Sequence, residues 1–345
     1  MRYIYVYIVI LGFLNAQPEL RQYIHQDIDR EYILYRPDCE QSQSPLVFVF
    51  HGYTGSASGI MEYSNMNDIA DSNCFTVCYP QGLLDDYNNA FFNVGYSFHW
   101  SESVDDVGFV ISLAEYLQNE FDLSPINTFT TGMSNGGDFS YLLSCEASTT
   151  FRAAAPIAGV MMEWIFDSCS PENPIPILEI HGTNDDVSLW NGDLENVGGW
   201  GAYMAVDTTF QFWSEINLCS NVITDTLDNS NIQDGSYVIT EKHTQGLNNQ
   251  EVWLYKIVNG GHDWPGSWGN MDIDASEELW QFFNHFKLEY NIGDIDFSGA
   301  INIFDVLIIS DGMINNNFSH LADFNNDNLN DMNDIYAMLA FILGF

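Results

Sequence analysis

Along the chain, short apolar runs alternate with longer stretches in which hydrophobic positions recur every three or four residues. Residues 46–50, 75–79, 128–133, 153–157 and 175–180 are compact apolar runs, as expected of strands covered on both faces. Between them, 104–121 carries Val107, Val110, Ile111, Ala114, Leu117 and Phe121 at helical spacing and leaves Glu115 and Asn119 outward. Later strands are predicted at 237–242 and 251–258, with a closing helix at 275–288. Strands interleaved with helices predict an α/β fold.

The pattern changes after Lys287. No Lys or Arg follows, and residues 293–345 hold eight Asp and nine Asn, which sets a domain boundary near 290 and divides the chain into 17–290 and 291–345. Two tail segments, beginning at Asp294 and Asp323, lie 29 residues apart and resemble each other, an internal duplication. At the other end, Arg2, an uncharged run over 3–14 and a small residue at Ala16 make residues 1–16 a signal peptide, and the protein is expected to be secreted. That run is too short to cross a bilayer, and no stretch of 18 or more apolar residues predicts a membrane span. In an exported chain, six cysteines are an even set able to form three disulfides. Cys74 and Cys78 are not expected to pair, since four residues of strand separate their Cα atoms by about 13 Å.

Charge narrows the possible partners. With 8 Lys+Arg against 48 Asp+Glu the formal charge is −40, which excludes a nucleic-acid binder working through a basic surface. Only 16% of residues are charged while 46% are hydrophobic, so the bulk of the chain folds and is not a disordered acidic tail. The acid excess reads as a solvated surface suited to salty water, where counterions screen self-repulsion.

Gly132-Met-Ser-Asn-Gly136 is a G-x-S-x-G sequence between an apolar strand and a helix-like segment at 138–145, the context of a nucleophile elbow. Ser134 is the candidate nucleophile, and the backbone N–H of Asn135 at the helix start is a candidate oxyanion donor. His262, in Gly260-Gly-His-Asp-Trp-Pro-Gly266 just after the last strand, is the candidate base. The acid comes between them in chain order: Asp185, with Asp186 as the neighbouring alternative, follows the strand that ends near Ile180. The loop His51-Gly-Tyr-Thr-Gly-Ser56 would bring a second oxyanion N–H from Tyr53 or Thr54, and His51 itself reads as structural. Of the loop tryptophans 100, 190, 200, 264 and 268, Trp264 stands two residues from His262 and is the candidate substrate contact.

Seven blocks in order carry a family resemblance: His51-Gly-Tyr-Thr-Gly-Ser56, Tyr79-Pro-Gln-Gly82, Val104-Asp-Asp-Val-Gly-Phe109, Gly132-Met-Ser-Asn-Gly-Gly137, Ala155-Pro-Ile-Ala-Gly159, His181-Gly-Thr-Asn-Asp185 and Gly260-Gly-His-Asp-Trp-Pro-Gly266. Over about residues 30–290 the chain resembles the poly(3-hydroxybutyrate) depolymerase/feruloyl esterase family. The resemblance implies an α/β-hydrolase fold, a mostly parallel sheet with helices on both faces, and a triad of Ser134, Asp185 and His262 without a catalytic cofactor. Val187 comes one residue earlier than in the family's usual acid loop.

In the tail, Asp294, Asp296, Ser298, Ala300 (carbonyl), Asn302 and Asp305 fall at positions 1, 3, 5, 7, 9 and 12 of a calcium loop, with Gly299 at the sharp turn. The second loop offers Asp323, Asn325, Asp327, Leu329 (carbonyl), Asp331 and Asp334, with Asn328 in place of the glycine. Helices are predicted at 306–309 and 335–343. The pair is similar to a type I dockerin, which implies two Ca²⁺ ions and a cohesin-like protein partner or cell-surface scaffold.

The expectation is a secreted serine esterase acting on polymer or polymer-linked esters, either polyhydroxyalkanoate or feruloyl and acetyl esters of plant polysaccharide. The alternative is a calcium-dependent extracellular binding or scaffold protein with an inactive hydrolase domain.

Overall fold

The computed structural model describes residues 16–345 except 290, 297, 316–319, 326 and 328. The expected signal peptide up to residue 15 and Asn328, expected at the turn of the second loop, therefore lie outside the described residues. Two compact units meet in sequence between Phe286 and Lys287, a few residues before the boundary expected from composition.

In the first unit the strands are β1 (Glu19–His25), β2 (Ile28–Tyr35), β3 (Leu46–Phe50), β4 (Thr76–Pro80), β5 (Leu83–Leu84), β6 (Ala90–Phe91), β7 (Thr128–Met133), β8 (Ala153–Ile157), β9 (Ile177–Gly182), β10 (Asn221–Thr226), β11 (Tyr237–Thr244) and β12 (Val252–Val258). The helices are α1 (Ala57–Ser64), α2 (Met66–Asn73), α3 (Asp106–Phe121), α4 (Asn135–Glu146), α5 (Glu163–Ser168), α6 (Val206–Ile216) and α7 (Ala275–Phe286). A ten-stranded sheet runs β1-β2-β4-β3-β7-β8-β9-β12-β11-β10, and β5 pairs with β6 as a separate hairpin. The centre, from β4 to β12, is parallel, and the outer strands on both sides are antiparallel. This is the α/β-hydrolase architecture.

Alternation along the central strands feeds two cores. In β3, Leu46, Phe48 and Phe50 face a cluster built with Phe109, Leu113, Phe139, Leu143 and Trp213 of α3, α4 and α6. Val47 and Val49 face the opposite cluster, with Ile60, Met66, Leu279 and Phe283 of α1, α2 and α7. A strand covered on both faces favours apolar side chains at successive positions, which is why this run carries no polar residue. Helix α3 starts where the Asp105 carboxylate accepts from Gly108 N–H at 2.8 Å, and it stops at Asp122 in the left-handed region.

Two disulfides form, Cys39–Cys74 and Cys145–Cys169, while Cys78 and Cys219 are free thiols. A full set of three disulfides is therefore not made. Cys78 is buried in β4, and Cys219 sits against the Gln250 carbonyl, two residues before β12. Those strands are five places apart in the sheet, about 24 Å at the usual interstrand spacing. No helix among the described residues is long and apolar enough to cross a membrane.

The second unit holds α8 (Ile303–Asn315) and α9 (Met332–Leu343), packed through Val306, Ile309, Ala322, Ile335 and Met338. Both helices are longer than the apolar runs that predicted them.

Candidate active site

Strands β3, β7, β9 and β12 run parallel, so the loops leaving their C-terminal ends share one edge of the sheet. Ser134 is the single residue between β7 and α4, held at φ 57°, ψ −121°. Such a conformation costs a non-glycine residue about 1–3 kcal/mol. Its surroundings enforce it: Ser134 N–H donates to the Ile157 carbonyl at 2.9 Å, and Asp138 N–H donates to the Ser134 carbonyl at 2.8 Å. The turn also needs bare backbone, since a Cβ on Gly136 would lie 2.3 Å from the Phe50 carbonyl oxygen.

His262, on the loop after β12, places Nδ1 2.7 Å from Asp185 Oδ2. A carboxylate only accepts, so Nδ1 carries the proton and Nε2 is left free to take one. Asp185 is buried, and its second oxygen accepts from the N–H groups of Val187 and Ser188 at 2.8 Å each. The neighbouring Asp186 is exposed and makes no bond to the ring among the described residues. Behind Asp185, His181 Nε2 donates to the Ser188 carbonyl at 2.8 Å and Nδ1 lies 2.7 Å from Glu179 Oε1, while Tyr141 OH donates to Glu179 Oε2. Burial works against a charged His181, but the Glu179 carboxylate outweighs it and holds the ring above its ordinary pKa. Among the described residues no hydrogen bond joins Ser134 Oγ to His262.

The loop after β3 lies against the serine: a Cβ on Gly52 would stand 3.3 Å from Ser134 Cβ. Of the two donors expected there, Thr54 is excluded, because its N–H donates to the Ala90 carbonyl of β6 at 2.8 Å. The Gly52 carbonyl accepts from His51 Nδ1 at 2.8 Å and from Gly55 N–H at 2.9 Å. In a trans peptide the N–H points opposite the C=O, so this clamp aims Tyr53 N–H away from His51 and leaves it unspent. His51 Nε2 accepts from Gly82 N–H at 3.0 Å, and burial lowers the ring's pKa to about 4. It stays neutral and structural. Asn135 N–H belongs to the first turn of α4, where helix donors have no acceptor of their own, while its side chain is spent on both backbone groups of Phe92.

A cavity beside Ser134 is lined by Tyr96, Asp138, Val160, Ser188, Trp200 and Tyr203. Trp264 is not among them. It is fully buried in the core under α7, and its Nε1 donates to Ser276 Oγ at 3.0 Å, so it supports the His262 loop from beneath and cannot touch substrate. Asp138 escaped the sequence reading, although it lies one helical turn after the serine, in the first turn of α4. Burial pushes its carboxyl up to about 7, against Tyr96 OH and Val160 N–H, which donate to it at 2.6 Å each.

In the second unit, Asp294, Asp296 and Asp305 bring carboxylate oxygens within 4.8 Å of one another. Gly299, at φ 82°, makes the turn, and Ser298 N–H and Gly299 N–H donate to the Asp294 carboxylate. Asn302 Nδ2 donates to the Ala300 carbonyl at 2.8 Å. An all-oxygen donor set of this kind fits a hard cation such as Ca²⁺. The second loop repeats the pattern: Asp327 N–H donates to Asp323 and Asn325, Leu329 N–H to Asp327, and both Asn325 N–H and Asp331 N–H to the buried Asp334.

No family model matches the chain. Feruloyl esterase B of Piromyces equi is 27% identical over 250 residues, 71% of this chain and 42% of that protein. A probable feruloyl esterase C of Aspergillus niger is 29% identical over 190 residues, 52% of this chain and 64% of that one. The chain thus spans less than two thirds of the length of these curated relatives. Among solved structures, an acetyl xylan esterase from Aspergillus awamori superposes with a TM-score of 0.53 at 12% identity, over 77% of this chain and 99% of that one, a likeness of fold.

Proposed function

We propose that the protein is a serine carboxylic-ester hydrolase acting on feruloyl or acetyl esters of plant polysaccharide. The observation that carries this reading is the 2.7 Å contact of His262 Nδ1 with Asp185 Oδ2, on loops from the same sheet edge as a serine in a strained elbow. The esterase relatives support the substrate class.

In this reading Ser134 Oγ attacks the ester carbonyl carbon while His262 Nε2 takes its proton. The carbonyl π pair moves onto oxygen, where the N–H groups of Asn135 and Tyr53 stabilise the oxyanion, and Asp185 stabilises the imidazolium. Collapse breaks the bond to the alcohol oxygen, which leaves with the proton from Nε2. Water then attacks the acyl-enzyme by the same route in reverse and releases the acid and free serine.

The protein acts outside the cell, a setting consistent with its two disulfides. Asp294, Asp296, Ser298, Ala300, Asn302 and Asp305 would hold one Ca²⁺, and Asp323, Asn325, Asp327, Leu329, Asp331 and Asp334 a second, tying metal binding to folding of the tail. The second unit would then attach the enzyme to a cohesin-like partner or scaffold through side chains such as Phe304 and Leu307, which α8 leaves exposed.

The test is a side-by-side assay of wild type and Ser134→Ala on methyl ferulate, acetylated xylan and polyhydroxybutyrate film. The reading expects turnover of the first or second substrate and a loss of about 10⁴-fold or more in the variant. Turnover of the film alone would overturn the substrate class, and near-wild-type turnover by Ser134→Ala would overturn the mechanism.

A further inference from the structure

The aromatic wall of the cavity continues outward past its mouth. Tyr96 and Trp200 line the cavity, and each lies against Phe98, with ring centroids 5.5 and 5.8 Å apart. Phe98 is half-buried and meets Tyr53 at 5.7 Å and Tyr87 at 6.4 Å. Tyr87, at the outer end, is 67% exposed.

Apart from Trp200, these rings come from three segments: the loop after β3, the turn between β5 and β6, and the stretch after β6. One buried carboxylate ties them together. Asp85 Oδ2 accepts from Tyr53 OH at 2.7 Å and faces His99 Nε2 at 2.9 Å, and Oδ1 accepts from the N–H groups of Tyr87 and Asn89 at 2.9 Å each. Asn89 Nδ2 also donates to Tyr53 OH at 2.7 Å. Burial acts to raise the Asp85 pKa, but these bonds win and hold it at about 2, so the carboxylate accepts throughout any working pH range. Asp85 therefore holds the Tyr53 hydroxyl, the His99 ring and the backbone that carries Tyr87, whose ring meets Phe98 on one side and is otherwise open to water.

A ring fixed in this way suits a ligand with one flat C–H face and a rim of hydroxyl groups that remain hydrated, which is the chemistry of a pyranose ring. A wholly apolar chain gains little from one exposed face and more from burial on all sides. We propose that Tyr87 and Phe98 form a stacking shelf for the sugar chain that carries the scissile ester, leading it to Ser134 past Trp200. The inference rests on the esterase reading and deepens it, because it assigns the polysaccharide part of the substrate to a surface outside the acyl cavity.

Two measurements separate the shelf from that reading. In calorimetric titration of Ser134→Ala with xylohexaose, which carries no ester, adding Tyr87→Ala should weaken binding about fivefold or more, and Tyr87→Phe should retain it. In protein with Ser134 intact, Tyr87→Ala should lower the ratio of kcat/KM on a feruloylated xylo-oligosaccharide to that on methyl ferulate by a similar factor, through KM, with recovery in Tyr87→Phe. Absence of xylohexaose binding, or an affinity and ratio unmoved by Tyr87→Ala, overturns the shelf. So does an equal loss on both esters, which would mean only that the oxyanion loop was disturbed. If neither ester is cleaved yet xylohexaose binds in a Tyr87-dependent way, the shelf stands and the esterase reading falls.

Discussion

The two units arrange their carboxylates differently: in both they accept backbone N–H groups, but among the described residues only in the second do three of them also face one another. In the first, three buried acids are answered from within the chain: Asp106 by Arg30 at 2.6 Å and Asn93 N–H, Asp185 by His262 and two N–H groups, and Asp85 by donors from three loops. In the second, Asp294, Asp296 and Asp305 converge on one another, and no Lys or Arg follows Lys287 to offset them. The apolar core there is also small, so the unit cannot draw on burial as the first does. The same residue type thus meets cations and donors of the chain in one region and other carboxylates in the other.

Asp185→Asn probes the first unit most sharply. An amide cannot hold the imidazole in the productive tautomer, so kcat should fall by about 10³–10⁴-fold, against about twofold or less for the exposed Asp186→Asn. Equal effects in stopped-flow or steady-state assays would break the contrast between the two neighbours. The second unit is probed by chelation: EDTA should remove the helical circular-dichroism signal of α8 and α9 while methyl ferulate hydrolysis holds within about twofold, and calcium should restore it. At free calcium 100 times Kd each site contributes about 2.7 kcal/mol, so a helical signal indifferent to EDTA would erase the difference between the units.

Asp138 sharpens the comparison, since its answers are incomplete. Its carboxyl has a pKa near 7 in the folded protein against an ordinary 3.8, so the native state holds the proton more tightly than the unfolded chain does. Stability from this group is full below about pH 4 and is lost as pH rises toward 7, by a few kcal/mol at most. Urea titrations at pH 4, 5.5 and 7 should show that slope, and Asp138→Asn should flatten it; an unchanged slope would count Asp138 among the fully answered acids. The smallest effect belongs to Trp264→Phe, which loses the bond to Ser276 and should cost about 1 kcal/mol in stability with KM unmoved. A raised KM would return Trp264 to the substrate.

The central strands were legible because strands covered on both faces leave an unbroken apolar run, as in β3 and β8. Strands β1 and β10 were not: their residues are mostly exposed, and sequences such as Asn221–Thr226 read as loop until a partner strand is known. Ser134 and His262 were legible because a strained turn and a strand-end loop require glycines close in sequence. That Thr54 N–H is spent elsewhere rests on a hydrogen bond to Ala90, across 36 residues, which no local pattern signals. Trp264 misled for a related reason, since only the packing of α7 distinguishes a residue beneath a loop from one on its surface. The Asp85 hub was invisible because its partners are spread over nearly fifty residues.

The elbow rests on main chain meeting main chain. Gly136 lies on the Phe50 carbonyl, and Gly137 lies on Gly159, so close that a Cβ on either partner would come within 2.9 Å of the other's backbone. Helix α4 is thereby seated on β3 and on the end of β8 by peptide groups, which every sequence carries alike. Exchanges of core side chains around it should therefore displace the serine oxygen little, provided those few glycines persist. Extensive sequence drift and an unmoved elbow are compatible in such a design, which leaves the loops above that seat the most freedom to vary.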